Sequence, residues 1–378
     1  MTLRYSLTIG RIGGVRLRLH WSWLLVVALL MLTLAQFYRG WAGQVGALAL
    51  AALAALLLSL SVVAHELAHA AAAHWLGLPV RGVTLFIFGG MTEVDEEALT
   101  PGRELLVAAA GPLANLALAT AGTALGWRAG GTLAGAFGLH IAVANLLLAL
   151  LNLLPAYPMD GGRVLRAALW YLSDDELFAT SVAMSAGQIA GWALIGGGAL
   201  YGLLASDLLI GATLMLIGYV LIRSARAGFG RYLVRRALRG IRAGDLMQRT
   251  YCAVAPDMRL DQFVGRYVLG QTEQDYPVLN QPDDDAPQPL LGLISARNLR
   301  RYRLDDWNRT QVQDAMTPAS HVLRVAPDTP AGDAFRALVE TGGELLPVIE
   351  GDALLGVLRR GDVVRYIQRH ATRRAAGR

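Results

Sequence analysis

Nineteen consecutive uncharged residues, Val45 to Val63, run almost directly into the string His65-Glu66-Leu67-Ala68-His69. An apolar run of Ala, Leu, Gly, Val and Ser on this scale approaches the about 20 residues that a helix needs to cross a bilayer. The three ionisable side chains at its end are costly there, about 2.5–3.5 kcal/mol apiece even on lenient insertion scales, so such groups are seldom idle. The feature therefore constrains the chain to a bundle of membrane helices that shelters polar chemistry. Intramembrane metal chemistry is the first hypothesis.

Composition agrees. Hydrophobic residues make up 54% of the 378, and the mean hydropathy is +0.41, which points to a polytopic membrane protein. The apolar content ends near Ile222, and the last third reads as an ordinary soluble domain. The net charge of +5 comes from Arg alone, since the chain has no Lys. Nucleic acid is not implied: residues 241–378 carry 18 Arg against 18 Asp and Glu, and the remaining Arg flank apolar spans. The single Cys252 excludes an internal disulfide and fits a reducing compartment. No small-residue cleavage site follows the first apolar stretch, so no cleavable signal peptide is expected.

Residues 1–18 alternate weakly around Gly13-Gly14 and predict a hairpin at the membrane surface. Spans are expected at about His20–Phe37, Gln44–Leu76, Glu104–Trp127, Leu133–Leu154, Ala179–Leu204 and Leu208–Ile222. Between the second and third, Pro79–Glu97 is rich in β-formers interrupted by Gly89-Gly90 and predicts a hairpin or extended segment. Arg4, Arg11, Arg16 and Arg18 precede the first span; Arg223, Arg226, Arg231, Arg235, Arg236 and Arg239 follow the last. Six spans put both clusters on one face, which the positive-inside rule makes cytoplasmic. The end of the second span, with His65 and His69, and the end of the fourth, near Asp160, then lie toward that face.

A catalytic zinc takes three protein ligands and leaves a position for water. His65 and His69, four apart, share one helix face, and Glu66 beside them can take a proton from the attacking water. A third ligand is required. His74 lies five residues past His69, rotated about 140° to another face, and reads as an interfacial His. Asp160 is the better candidate. It follows the fourth span in Asn152-Leu-Leu-Pro-Ala-Tyr-Pro-Met-Asp160-Gly-Gly-Arg, where Pro155, Pro158 and Gly161 break the helix and let irregular backbone line a polar cavity. Standing alone, Asp160 would read as a turn residue before Gly161-Gly162.

H-E-x-x-H in one span with N-x-x-P-x-x-x-x-D-G in a later one resembles the site-2 protease family of intramembrane zinc metalloproteases. Phe88-Gly89-Gly90 is similar to that family's membrane-associated hairpin, and Ala110-Gly-Pro-Leu-Ala-Asn115 to its small-residue third span. The resemblance implies one Zn2+ per chain on His65, His69 and Asp160, with Glu66 as general base. It also implies that Asn152 donates a hydrogen bond to the substrate carbonyl or oxyanion. His140 and Asn145 are expected only to bond a neighbouring helix. Members cleave single-pass membrane proteins within or near their span, and Phe88, Gly89 and Gly90 would hold an extended substrate by β-augmentation.

The last third repeats itself. Asp245-Leu-Met matches Asp314-Ala-Met, Ala255-Pro-Asp matches Ala326-Pro-Asp, and Tyr276-Pro-Val matches Leu346-Pro-Val. Leu291-Gly-Leu-Ile likewise matches Leu355-Gly-Val-Leu, and the first copy carries an extra Pro- and Asp-rich loop, Gln281–Pro289. Each copy reads as helix, strand, helix, strand, strand, helix. The pair resembles tandem cystathionine-β-synthase (CBS) domains, which commonly bind adenine nucleotides such as ATP or AMP. The matching positions are Ser295 with Asn298, and Arg359 with Asp362, each pair keeping half the family pattern. A purely structural or homodimerising CBS pair stays open beside nucleotide binding.

The expected fold is thus a mainly α polytopic membrane protein: six transmembrane helices, a short membrane-associated β-hairpin and a cytoplasmic α/β tandem CBS domain. The expected domains are 1–230 (membrane metalloprotease), 231–240 (basic linker), 241–306 and 307–370 (CBS repeats) and 371–378 (basic tail). The expected location is the plasma membrane, with the N-terminus and CBS domains cytoplasmic. The partners are the lipid bilayer and a single-pass membrane substrate, and not nucleic acid. Alternatives are a catalytically silent protein of the same fold and a CBS-regulated transporter or channel, which has no need of H-E-x-x-H with a remote Asp-Gly. A further alternative is a membrane zinc protease of the type that cleaves prenylated or damaged proteins and takes a Glu as third ligand.

Overall fold

The computed structural model describes residues 6–87, 89–94, 99–269, 275–282 and 287–376, in two compact units, Met1–Phe229 and Gly230–Arg378. Phe88 and residues 95–97 of the expected hairpin lie outside the described residues, as do Arg4 and part of the loop at 281–289.

The first unit opens with the expected hairpin, strands β1 (Ser6–Ile12) and β2 (Val15–His20), paired from Ser6↔His20 to Ile12↔Val15. Helix α1 (Ser22–Trp75) then covers both first spans and is broken at Gly43, whose φ of 63° is open to glycine at little cost. Strands β3 (Val80–Phe86) and β4 (Gly89–Val94) form the second hairpin. The two hairpins join: β2 runs parallel to β3 with Leu17 opposite Val83 and Leu19 opposite Leu85, giving one sheet in the order β1-β2-β3-β4. Arg18 on β2 reaches Glu93 on β4 at 3.3 Å.

Helices α2 (Pro101–Arg128), α3 (Leu133–Asn152), α4 (Asp160–Ser173), α5 (Glu176–Leu204) and α6 (Leu208–Leu238) follow. Their starts are legible in the capping residues. Thr100 accepts from the Arg103 amide with Pro101 at the first helical position, Thr132 caps α3, and Asp175 accepts from the Leu177 and Phe178 amides at 2.9 and 3.1 Å. Among the described residues six helices are long and apolar enough to cross a membrane: Ser22–Gly40, Gly43–Trp75, Pro101–Arg128, Leu133–Asn152, Glu176–Leu204 and Leu208–Leu238. The sixth continues as helix well past Ile222, so residues 231–238 of the expected basic linker are helical. Between helices the contact residues are small. Ala47, Ala51, Ala54 and Ala55 are buried, whereas Leu48, Leu53 and Leu56 on the same helix are exposed. Lipid is as apolar as leucine, so close backbone approach takes over from hydrophobic burial as the source of packing.

The second unit holds two intertwined three-stranded sheets. One comprises β5 (Asp275–Val278), β7 (Gly292–Ser295) and β8 (Thr317–Pro318); the other comprises β6 (Gln288–Pro289), β10 (Ala353–Arg359) and β9 (Leu345–Glu350). Each copy lends its partner one short strand: β8 of the second copy pairs with β7, and β6 of the first with β10. Helices α7 (Ala243–Leu246), α8 (Leu260–Phe263), α9 (Ala296–Leu299), α10 (Val312–Ala315), α11 (Ala331–Thr341) and α12 (Arg360–Ala376) pack around them. Separate cores form around Phe263, Tyr276 and Ile294, and around Leu338, Leu346 and Leu358.

Candidate metal centre

His65 and His69 lie one turn apart on the second half of α1, with their Nε2 atoms 3.1 Å from each other. Asp160 Oδ2 lies 3.1 Å from His65 Nε2 and 3.2 Å from His69 Nε2. All three residues are buried, and among the described residues they form the one cluster of His, Cys, Asp or Glu gathered closely enough to hold a metal ion. Asp160 is the first residue of α4, where the helix dipole favours a carboxylate.

The hydrogen bonding fixes the donor chemistry. His69 Nδ1–H donates to the Val107 carbonyl at 2.6 Å, which turns the Nε2 lone pair toward Asp160. Two imidazole nitrogens and a carboxylate oxygen converging in a buried pocket suit a divalent cation with nitrogen and oxygen ligands.

Glu66 is 7% exposed. The Thr92 hydroxyl on β4 donates to Glu66 Oε2 at 2.7 Å. A methyl group on Gly90 would overlap the Glu66 side chain, so this glycine lets the sheet lie against the carboxylate. Gly111 on α2 plays the same part for the imidazoles: a side chain there would overlap His65 and His69.

Of the other residues singled out from the sequence, Asn152 ends α3, half-buried, before the turn that leads to Asp160. That turn is held by Tyr157, whose amide donates to the Ala183 carbonyl at 3.3 Å. Side chains on Gly187 or Gly228 would overlap Tyr157. His74 is exposed and outside the cluster. Asn145 donates to Ser61 Oγ at 3.2 Å, and His140 packs beside Phe37 and Tyr38. Gly89 and Gly90 open β4, which with β1 is an edge strand of the sheet. In the second unit the Ser295 hydroxyl donates to Asn298 Oδ1 at 2.8 Å, and Asn298 Nδ2 donates to the Ala315 carbonyl at 2.9 Å. Arg359 ends β10 as Ser295 ends β7, and Asp362 accepts from the Arg365 guanidinium. Sequence reasoning did not single out Thr92 or Val107. A threonine two residues past Gly90, on the same face of a strand, was the available signal for the first; a backbone carbonyl leaves none.

Residues 53–134 and 131–194 match the model of peptidase family M50, and residues 312–369 match that of the CBS domain. The provisionally named zinc metalloprotease Rip3 of Mycobacterium tuberculosis is 34% identical over 377 residues, covering 97% of this chain and 93% of Rip3. Zinc metalloprotease MJ0392 of Methanocaldococcus jannaschii is 26% identical over 365 residues, 96% of each protein. The solved structure of a site-2 protease from the same archaeon aligns with 60% of this chain and 95% of its own, at 26% identity and a TM-score of 0.44.

Proposed function

The chain belongs to peptidase family M50, the site-2 protease family of membrane zinc metalloproteases, and from this we propose that it hydrolyses its substrates with His65, His69 and Asp160 as ligands of one Zn2+ and Glu66 as general base. The observation that carries the assignment is the convergence of three buried donor atoms, 3.1–3.2 Å from one another, beside the Glu66 carboxylate on the same helix. Bound there, zinc supplies Lewis-acid polarisation of a carbonyl and lowers the pKa of water to about 7.

The protein's own groups do the rest. Glu66 takes a proton from the attacking water and returns it to the leaving amine, and the Thr92 hydroxyl fixes the orientation of its carboxylate. Asn152 donates to the developing oxyanion. The substrate is a single-pass membrane protein, cut within or near its span. A helix must unwind before its carbonyls can be attacked, and β4, an edge strand opening on Gly89 and Gly90, offers backbone pairing to the extended segment.

The protein is multi-pass, and the Arg clusters flanking its first and last spans support a cytoplasmic face for both ends, for the metal centre and for residues 241–370. The CBS pair binds adenine nucleotide at Ser295, Asn298, Arg359 and Asp362, which lie at the ends of β7 and β10 and on the helices that follow them, and regulates cleavage; a homodimerising pair is the alternative reading.

The test is metal content and cleavage of a model membrane substrate by the purified full chain. Glu66→Gln keeps zinc and loses cleavage; Asp160→Ala loses zinc. Cleavage surviving Glu66→Gln, or full zinc occupancy in Asp160→Ala, would overturn the assignment.

A further inference from the structure

Glu104, Val107 and Gly111 lie on one face of α2, spaced i, i+3 and i+7. Two of them act on the imidazoles: Gly111 lies against both rings, and the Val107 carbonyl accepts from His69. The third reaches α4. Glu104 is fully buried, and its Oε1 accepts from Arg166 Nε at 2.8 Å and from a second nitrogen of the same guanidinium. Arg163 Nε lies 4.0 Å from that oxygen. Asp160 is the first residue of α4, so Arg163 and Arg166 follow it within the first two turns. The face of α2 that orients the histidines is therefore also gripped by the helix that carries the aspartate.

A buried ion pair is weak evidence for stability, because desolvation of both charges offsets their attraction; its best-attested use is to fix a register. The first turn of α4 packs closely, but through glycine backbone. Gly161 and Gly162 have no side chains and lie against the backbone of Leu153, Leu154, Ala156 and Tyr157. A guanidinium, planar and with its N–H bonds in fixed directions, is the directional contact.

We propose that Glu104 and Arg166 are positioning residues of the peptidase, their ion pair setting α4 against α2 so that Asp160 meets His65 and His69 within reach of one ion. The proposal rests on the assignment of those three residues as zinc ligands.

The test compares the full-length protein with Glu104→Gln, Arg166→Lys and the apolar double variant Glu104→Leu/Arg166→Met, which removes both charges without stranding either. Three quantities are read: thermal unfolding of the metal-free protein, zinc retention against a chelator, and the visible spectrum after Co2+ substitution. The expected result is cooperative unfolding in the double variant, zinc retention weakened by about tenfold or more, and displaced Co2+ bands reporting a changed ligand field. Wild-type zinc retention and an unchanged Co2+ spectrum in folded variants would overturn the proposal. Loss of the fold in all three would overturn it too, assigning the pair to folding alone. Wild-type protein that binds neither ion would instead refute the ligand assignment.

Discussion

Replacing Gly111 by alanine sets helix propensity against site geometry. In an ordinary helix Gly→Ala is worth about 1 kcal/mol of added stability, and nothing in the backbone of α2 opposes the change. The site does. A Cβ on Gly111 would overlap His69 Nε2 most closely and would stand 2.6 Å from His65 Cε1 and Nε2, where ordinary contact begins at 3.4 Å. The obstructing atoms belong to the two rings that must bind zinc, so α2 has to retreat by about 0.8 Å at the least. A retreat along the hydrogen bond from His69 to the Val107 carbonyl would stretch it from 2.6 Å to beyond the normal ~2.7–3.2 Å range. A misplacement near 1 Å costs on the order of 100-fold in rate. Gly111→Ala is therefore expected to unfold no earlier than wild type in its metal-free form, yet to lose about 100-fold in cleavage of a membrane substrate and to release zinc more readily. The assays are a melting curve without metal, a chelator competition and a cleavage time course. Wild-type cleavage with wild-type zinc retention would refute the packing argument.

Three further outcomes follow from the same geometry. Thr92→Val removes the hydroxyl that donates to Glu66 Oε2 and should lower kcat by about tenfold while zinc content stays at one per chain, whereas Thr92→Ser restores the rate; equal kinetics for all three proteins would deny Thr92 that role. Chelation should lower the melting temperature of the membrane unit and zinc should restore it, with about 2.7 kcal/mol of stabilisation at a free metal concentration of 100 Kd; a melt indifferent to metal would contradict a ligand set so closely gathered. Ser295→Ala removes the Ser295–Asn298 hydrogen bond at the start of α9 and should cost about 1 kcal/mol in the second unit, read by denaturant unfolding; no change would show that the cap is idle.

The zinc-site candidates were legible because each signal is local. His65 and His69 share a face through simple helix spacing, and Asp160 is announced by Pro155, Pro158 and Gly161. The six spans were legible from composition, although the end of the last was not. Hydropathy falls at Arg223, whereas the helix continues on residues with ordinary helix propensity to Leu238. Long-range pairings left no such trace. Two hairpins were readable, but the parallel pairing of β2 with β3 joins residues separated by the whole of α1. The exchange of β6 and β8 between the CBS copies involves strands two residues long. The ion pair of Glu104 with Arg166 was hidden for a related reason. A Glu entering an apolar span and an Arg on a short amphipathic helix carry no sign of each other until the fold brings them together.

The alanine stripe of α1 inverts the usual pattern of mutational tolerance. In a water-soluble domain polarity polices the interior and size is the finer adjustment. Ala47, Ala51 and Ala54 pack in a cluster with Leu34, Tyr38 and Leu58 and the lipid chains beyond are apolar too, so hydrophobicity discriminates little and bulk is the quantity under constraint. Leu48, Leu53 and Leu56 should exchange freely with Ile, Val, Met or Phe, while a single added methylene at Ala51 wedges the helices apart. A saturation scan of this span would sort by volume on one face and by hydrophobicity on the other.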